Sequence, residues 1–328
     1  MTRRSRLSAL GSGLLGIALL VSTCYERLPS SFGALREVTV VTREWDEIAP
    51  TLERLLQQKL PTPQPEPEFK LKAITPDRLE AVARLRLLLL VGVADDPFLR
   101  QILGSRLDSL PDGEFGLYRF PNAWAREQWV LAFVAREKEL LVPGLIVYGP
   151  RLHHELYSIM LDQMAAVTSL SGIDQRLTDS LKSNFGWRID VPRGWELGLE
   201  HAQERFVYIY GHYPDRTIFV HWQDTTRTIV PDSILDLRDR LTGRFFEGDS
   251  VERSLVIVDT IRFLAEPALR LRGVWQNRKE VIGGPFVSYA LNCQGRFFFI
   301  DGLVYNPGKK KLDNLFQVEA LIRTFVPD

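Results

Sequence analysis

His153-His154-Glu155 places two imidazoles and a carboxylate side by side, the residue types from which a metal centre or an acid–base pair is built. A zinc protease of the H-E-x-x-H kind needs a second histidine at position 158, which is Ser158, so the trio reads as the polar side of a helix. Asp95-Asp96-Pro97 offers paired carboxylates at a strand end. Asp96 is better explained as the N-cap of a helix over Phe98–Leu103, with Pro97 at its first position. His212 and His221 flank a short turn and could approach each other across a hairpin, but no third ligand has a clear spacing, so a satisfied surface histidine is the better reading of each. G-x-S-x-G, S-x-x-K and P-loop patterns are missing after residue 23, so no catalytic residue is assigned and neither a metal nor a cofactor is expected.

The remaining chemistry-bearing residues concentrate near the C-terminus. Arg272, Trp275, Gly283, Gly284, Pro285, Tyr289, Asp301, Tyr305 and Lys309 lie on consecutive predicted hairpins, which would bring several onto one face. Arg, Trp and Tyr combine large buried area with directional hydrogen bonding, so Arg272, Trp275, Tyr289 and Tyr305 are candidate partner-binding residues. The competing structural reading makes Gly-Gly-Pro a bend, Trp275 a core residue, and Arg272 the ion-pair partner of an acid such as Asp301.

The N-terminus carries an address. Arg3, Arg4 and Arg6 precede an apolar run, and Ser22-Thr23-Cys24 ends it. Leu7–Thr23 is 17 residues, short of the roughly 20 a spanning helix needs, and resembles an export signal of lipoprotein type. Cys24 is then the expected lipidation site, with 1–23 a signal peptide and 24–35 a tether. Thr23 is bulkier than the small residue such processing favours, and an uncleaved N-terminal anchor is the alternative. The expected location is the bacterial cell envelope, lipid-anchored, facing the periplasm or exterior. Gly11-Ser12-Gly13-Leu14-Leu15-Gly16 matches a dinucleotide fingerprint by letter only, because no strand precedes it.

Composition narrows the classes. The 328 residues carry 41 basic and 41 acidic side chains, and loss of three leader arginines leaves 38 basic against 41 acidic. That balance gives no concentrated basic face for a nucleic acid. Lys309-Lys310-Lys311 reads as a solvated loop. With Cys24 lipidated, Cys293 has no disulfide partner and reads as a half-buried strand residue.

Periodicity predicts an α+β protein. A mixed α/β domain over 36–175 has strands at Arg36–Val41, Phe69–Ile74, Leu85–Val93 and Gln128–Ala135, and helices at Glu44–Leu60 and Leu152–Leu170. Pro61–Pro67, with four prolines in seven residues, is an extended connector. Ser169–Asn184 is the expected boundary. The second domain, 184–328, is an antiparallel sheet with helices at Ile234–Phe246 and Leu312–Phe325 packed on one face.

Two stretches resemble one family. The strand, tryptophan helix and Pro-Gln-Pro-Glu-Pro-Glu-Phe connector of residues 36–69 are the first. Leu271-Arg272-Gly273-Val274-Trp275, Gly283–Tyr289, Gly302–Lys310 and Leu315–Leu321 form the second. Together they resemble the domain of unknown function 4837 family of envelope lipoproteins over nearly the whole mature chain, departing at Val281-Ile282. The resemblance implies compartment and extent but no activity. Residues 184–328, opening on Pro-Arg-Gly-Trp, also resemble the PsbP-like fold, whose members often act as accessory modules. The expectation is a non-enzymatic binding or accessory lipoprotein, anchored to a membrane by lipid, with an envelope protein or glycan as partner. The alternative is an envelope hydrolase or transferase with a dispersed active site.

Overall fold

A computed structural model describes residues 28–110 and 114–328. The expected signal peptide and the expected lipidation site Cys24 lie outside the described residues. The fold is α+β, and two sheets meet along a shared core.

The first sheet is built on β3 (Leu87–Val93), the apolar run whose residues face hydrophobic neighbours on both sides. β1 (Glu37–Val41), β2 (Lys70–Ile74) and β5 (Trp129–Ala135) run parallel to it, in the order β2-β1-β3-β5. β4 (Phe115–Pro121) pairs antiparallel with β5 at the edge. The helix α1 (Trp45–Leu56) turns Ile48, Leu52 and Leu56 inward, and α2 (Pro97–Leu103) begins at Asp96, whose carboxylate accepts from the Phe98 amide at 2.8 Å.

α3 (Leu141–Thr168) is much longer than the periodicity of Leu152–Leu170 predicts. Pro143, Gly144, Gly149 and Pro150 hide its first three turns, because each disfavours a helix interior. Packing outweighs propensity here. A Cβ on Gly144 would stand 2.8 Å from the Phe115 and Phe133 rings, so glycine lets the helix approach the sheet. The expected boundary at Ser169–Asn184 holds another helix, α4 (Gln175–Phe185), capped by Asp174 on the Leu177 amide at 3.0 Å.

The second sheet has a short edge pair at Ser250–Val251, then β10 (Glu266–Asn277), β11 (Ile282–Cys293), β12 (Arg296–Tyr305), β8 (Asp215–Gln223), β7 (Phe206–Gly211) and β6 (Glu196–His201); β9 (Ile257–Phe263) also pairs with β10. All of its pairings are antiparallel. Helices cover both faces, where the sequence suggested one. α5 (Pro231–Phe245) packs on the face bearing Phe286, Phe297 and Phe299, and α6 (Leu312–Ile322) on the face bearing Val287, Leu291 and Ile300. Gly283-Gly284-Pro285 makes no bend but continues β11. A Cβ on Gly284 would fall 1.9 Å from the Val304 carbonyl oxygen, so the glycine serves a close strand approach.

The two sheets are joined at a seam. α3 packs against both α1 and α6, and one hydrophobic cluster runs from Val38 and Leu89 through Leu156 to Val287 and Phe316. The proline connector takes part. Lys59–Leu60 and Glu66–Pro67 pair as a small hairpin, and the Glu66 carboxylate accepts from the Lys311 amide at 2.7 Å, where its charge favours the N-terminus of α6.

Candidate functional site: a charged seam and its cleft

Arg270 and Arg272 sit two residues apart on β10, so both project from one face, towards α3 and α6. Their strand neighbours are complementary: Asp259 on β9 and Tyr289 on β11 lie directly opposite Arg270. Asp259 Oδ2 takes hydrogen bonds from Arg270 Nη2 at 2.9 Å and Arg272 Nη2 at 3.0 Å. Arg272 Nη1 donates to Glu68 Oε1 at 3.1 Å, and Arg270 Nη1 to Glu319 Oε1 at 3.2 Å. Tyr289 Oη donates to Glu319 Oε1 at 2.9 Å, and Tyr157 Oη bonds its other oxygen. His153 Nε2 closes the line on Glu68 Oε2. Eight side chains from six segments thus form one buried polar lattice.

Its electrostatics follow from burial and proximity. Burial alone would raise the Glu68 carboxyl, but the His153 hydrogen bond and charge together with Arg272 outweigh it and hold the group below its ordinary value. Asp259 is lowered by the same competition, with Arg270 and Arg272 prevailing over burial. Burial, reinforced by the Glu319 charge, pushes both the Tyr157 and Tyr289 phenols well above 10, so each remains a donor. The Arg270 guanidinium lies 4.9 Å from the Tyr157 ring centroid, a cation–π contact in a desolvated setting.

A cleft of about 510 Å³ opens onto this lattice. Tyr157, Arg270 and Tyr289 contribute to it from the lattice, Leu161, Ile261 and Pro267 line it with apolar surface, His154 adds an imidazole, and Arg262 and Arg323 add cationic groups. Sequence reasoning missed the site as a unit. Glu68 and Arg272 are 204 residues apart, and no local pattern links them.

The residues singled out from sequence are divided by the fold. Arg272 and Tyr289 belong to the seam lattice, whereas Trp275 and Tyr305 lie on the opposite face with α5, their ring centroids 6.4 Å apart. A single Arg272/Trp275 face therefore does not exist, and Arg272, Trp275 and Tyr289 are all buried. Asp301 is not the acid of Arg272. It meets Arg238 Nε of α5 at 2.7 Å, with Ser288 as a further donor, and both members of the pair are fully buried. Burial raises the Asp301 carboxyl, while Arg238 and Ser288 pull it back.

The histidines also move. His153 turns into the seam instead of lying on a polar helix side, His154 stays exposed, and Glu155 accepts from Arg119 at 2.9 Å. His212 and His221 do not approach each other: His212 bonds Asp215 at 2.8 Å beside the turn, and His221 bonds the Arg205 carbonyl at the far end of the hairpin. Cys293 is half-buried near the end of β11. Lys309 and Lys310 are exposed, and Lys311 is buried beneath the Glu66 cap. Among the described residues, no group of three or more His, Cys, Asp or Glu side chains could hold a metal ion. None of their helices is long and apolar enough to cross a membrane.

No curated protein matches the chain. Among solved structures, it is similar to the cyanobacterial PsbP protein CyanoP of Synechocystis, at 11% identity and TM-score 0.32 over 44% of this chain and 89% of that one. LpqN of Mycobacterium tuberculosis, described as involved in cell envelope biogenesis, aligns at 16% identity and TM-score 0.27 over 43% of this chain and 83% of that one. A Bacteroides thetaiotaomicron crystal structure aligns at 9% identity and TM-score 0.28, covering 44% of this chain and 45% of that one. The resemblance to the domain of unknown function 4837 family holds for the C-terminal half, while residues 36–69 fall under a different family model. Residues 31–155 match domain of unknown function DUF8532, and residues 174–324 match domain of unknown function DUF4837.

Proposed function

We propose that the chain is a lipid-anchored envelope protein that binds a ligand in the seam cleft and acts as an accessory module. The anchor rests on the basic cap, the apolar run and Cys24 of the sequence. The binding reading rests on one observation: at the inner end of the cleft, the ionisable groups are committed to one another. Glu319 accepts from Arg270, Tyr157 and Tyr289, and Asp259 is shared by two guanidiniums. A base held this way is poorly placed to take a proton, whereas a rigid, partly apolar cavity of about 510 Å³ suits a ligand.

His154 is exposed and lines the cleft from α3 together with Ser158 and Leu161, at i, i+4 and i+7, so His154→Trp narrows the cavity without removing a member of the lattice. The test is crosslinking and affinity capture from native membranes with wild type and His154→Trp, followed by mass spectrometry of what is retained. Loss of one retained species in the variant supports the reading. Identical retention by the two proteins rejects the cleft as the binding site.

A further inference from the structure

Pro192-Arg193-Gly194-Trp195 is a motif that the seam does not use. It forms a turn in which the Trp195 amide donates to the Pro192 carbonyl at 3.1 Å, and the Arg193 amide donates to the Gly172 carbonyl at 2.9 Å. Together with Arg216, Gln317 and the end of α3 it lines a pocket of about 250 Å³ that shares no lining residue with the cleft.

Two guanidiniums face this pocket, and both are shaped into place. Arg193 lies flat on Gly172, where a Cβ would come 3.0 Å from its Nε. Trp195 lies against Gly211, where a Cβ would come 2.6 Å from the indole nitrogen. Arg216 stacks over the same indole at 5.3 Å and donates through Nη1 to Gln317 Oε1 at 2.9 Å and through Nε to the Pro214 carbonyl at 3.3 Å. The two glycines therefore make room for the Arg193 side chain and for the aromatic platform of Arg216.

Charge sets this pocket apart from the seam. Every guanidinium of the seam lattice has a carboxylate, but among the described residues neither Arg193 nor Arg216 is in an ion pair. Asp215 is adjacent in sequence and is bonded instead to His212, which also lines the pocket. A half-buried guanidinium held only by neutral acceptors leaves its charge uncompensated, and burial correspondingly lowers Arg216 below its ordinary value. Arg216 Nη2 remains uncommitted.

We propose that this pocket is a binding site for a phosphate group, held between Arg193 and Arg216. Two unpaired guanidiniums match the charge of about −1.5 to −2 that a phosphate monoester carries near neutral pH, whereas a carboxylate is satisfied by one. Inorganic phosphate and the headgroup of a phosphorylated glycerol share that chemistry.

Calorimetric titration of the full chain at low ionic strength, with inorganic phosphate, glycerol 3-phosphate and acetate, tests the assignment. The expected result is saturable one-site binding of at least one phosphate species, with acetate at least tenfold weaker. Binding of the inorganic ion alone identifies a free-phosphate site, and binding of the ester identifies a headgroup site. Arg193→Gln and Arg216→Gln each weaken binding at least tenfold. Arg193 is exposed, so its variant keeps the test valid even if Arg216→Gln fails to fold. His154→Trp, which narrows the cleft and does not line this pocket, leaves phosphate binding unchanged and so separates the two sites. Lack of saturable binding by both phosphate species, equal binding of acetate, or wild-type affinity in Arg193→Gln overturns the proposal.

Discussion

The Glu68 carboxylate and the Arg272 guanidinium meet at 3.1 Å across 204 residues, pinning the proline hairpin of the first half to the central strands of the second. Both side chains are buried, so each depends on the other to offset its desolvation. Glu68→Gln removes the charge but keeps the volume. It is expected to cost about 3 kcal/mol, because Arg272 retains only Asp259 as an acid. Urea unfolding checks this, and a loss below about 1 kcal/mol would show that the pair does not hold the seam.

Acid should act on the same pair. Glu68 and Asp259 have carboxyls held below their ordinary 4.5 and 3.8, so their contribution is fully present above those values and is lost as pH falls through the lowered ones. His221, lowered from 6.5 mainly by burial, has the same sign and begins to act earlier. Asp301, raised by burial, has the opposite sign, so the raw stability curve mixes the two. The difference between wild type and Glu68→Gln isolates the seam. It should be constant above pH 4.5 and shrink below it in calorimetric melts; a difference that widens in acid rejects the assignment.

Arg238 and Asp301 form the second buried pair, on the other face of the sheet. Arg238→Ala and Asp301→Ala should each cost about 3–5 kcal/mol, since each strands a buried charge. Arg238→Met combined with Asp301→Leu should cost less than either single change. A denaturant-based double-mutant cycle measures the coupling, and simple additivity would refute it.

Close strand and helix approaches give a steric prediction. Gly302→Ala places a Cβ 2.1 Å from Val318 Cγ1 on α6 and should cost about 1–3 kcal/mol through overpacking. Val318→Ala makes room, so the double variant should recover part of the loss. Gly284→Ala meets the Val304 carbonyl instead, and no side-chain change should rescue it. Melting temperatures of the set distinguish the two cases.

The proposed anchor has its own test. Cys24→Ser should move the chain from the membrane to the soluble fraction, and mass spectrometry of the wild-type N-terminus should find an acylated cysteine. An unmodified Cys24 would remove the anchor while leaving the described fold intact.

Much of this architecture was legible locally. The unbroken apolar run at Leu87–Val93 could only be a strand covered on both faces, and Asp96-Pro97 announced a helix start. The separation of Arg272 from Trp275 was also legible. Positions three apart on a strand point to opposite faces, and that parity rules out a shared surface. The start of α3 was not legible, because Gly144 and Gly149 weaken a helix that only its neighbours justify. Nor was the seam: its acids come from the proline hairpin, β9 and α6, and their meeting with β10 is decided by topology.

The division of the seam between two family segments carries an evolutionary consequence. Glu68 and His153 lie within residues 31–155, while Asp259, Arg270, Arg272 and Glu319 lie within 174–324. The second segment transplanted alone would keep Asp259 and Glu319 but lose Glu68, and the first would leave the buried Glu68 without Arg272. Where the two segments occur together, a change at position 68 should be answered at position 272, because each buried charge offsets the desolvation of the other.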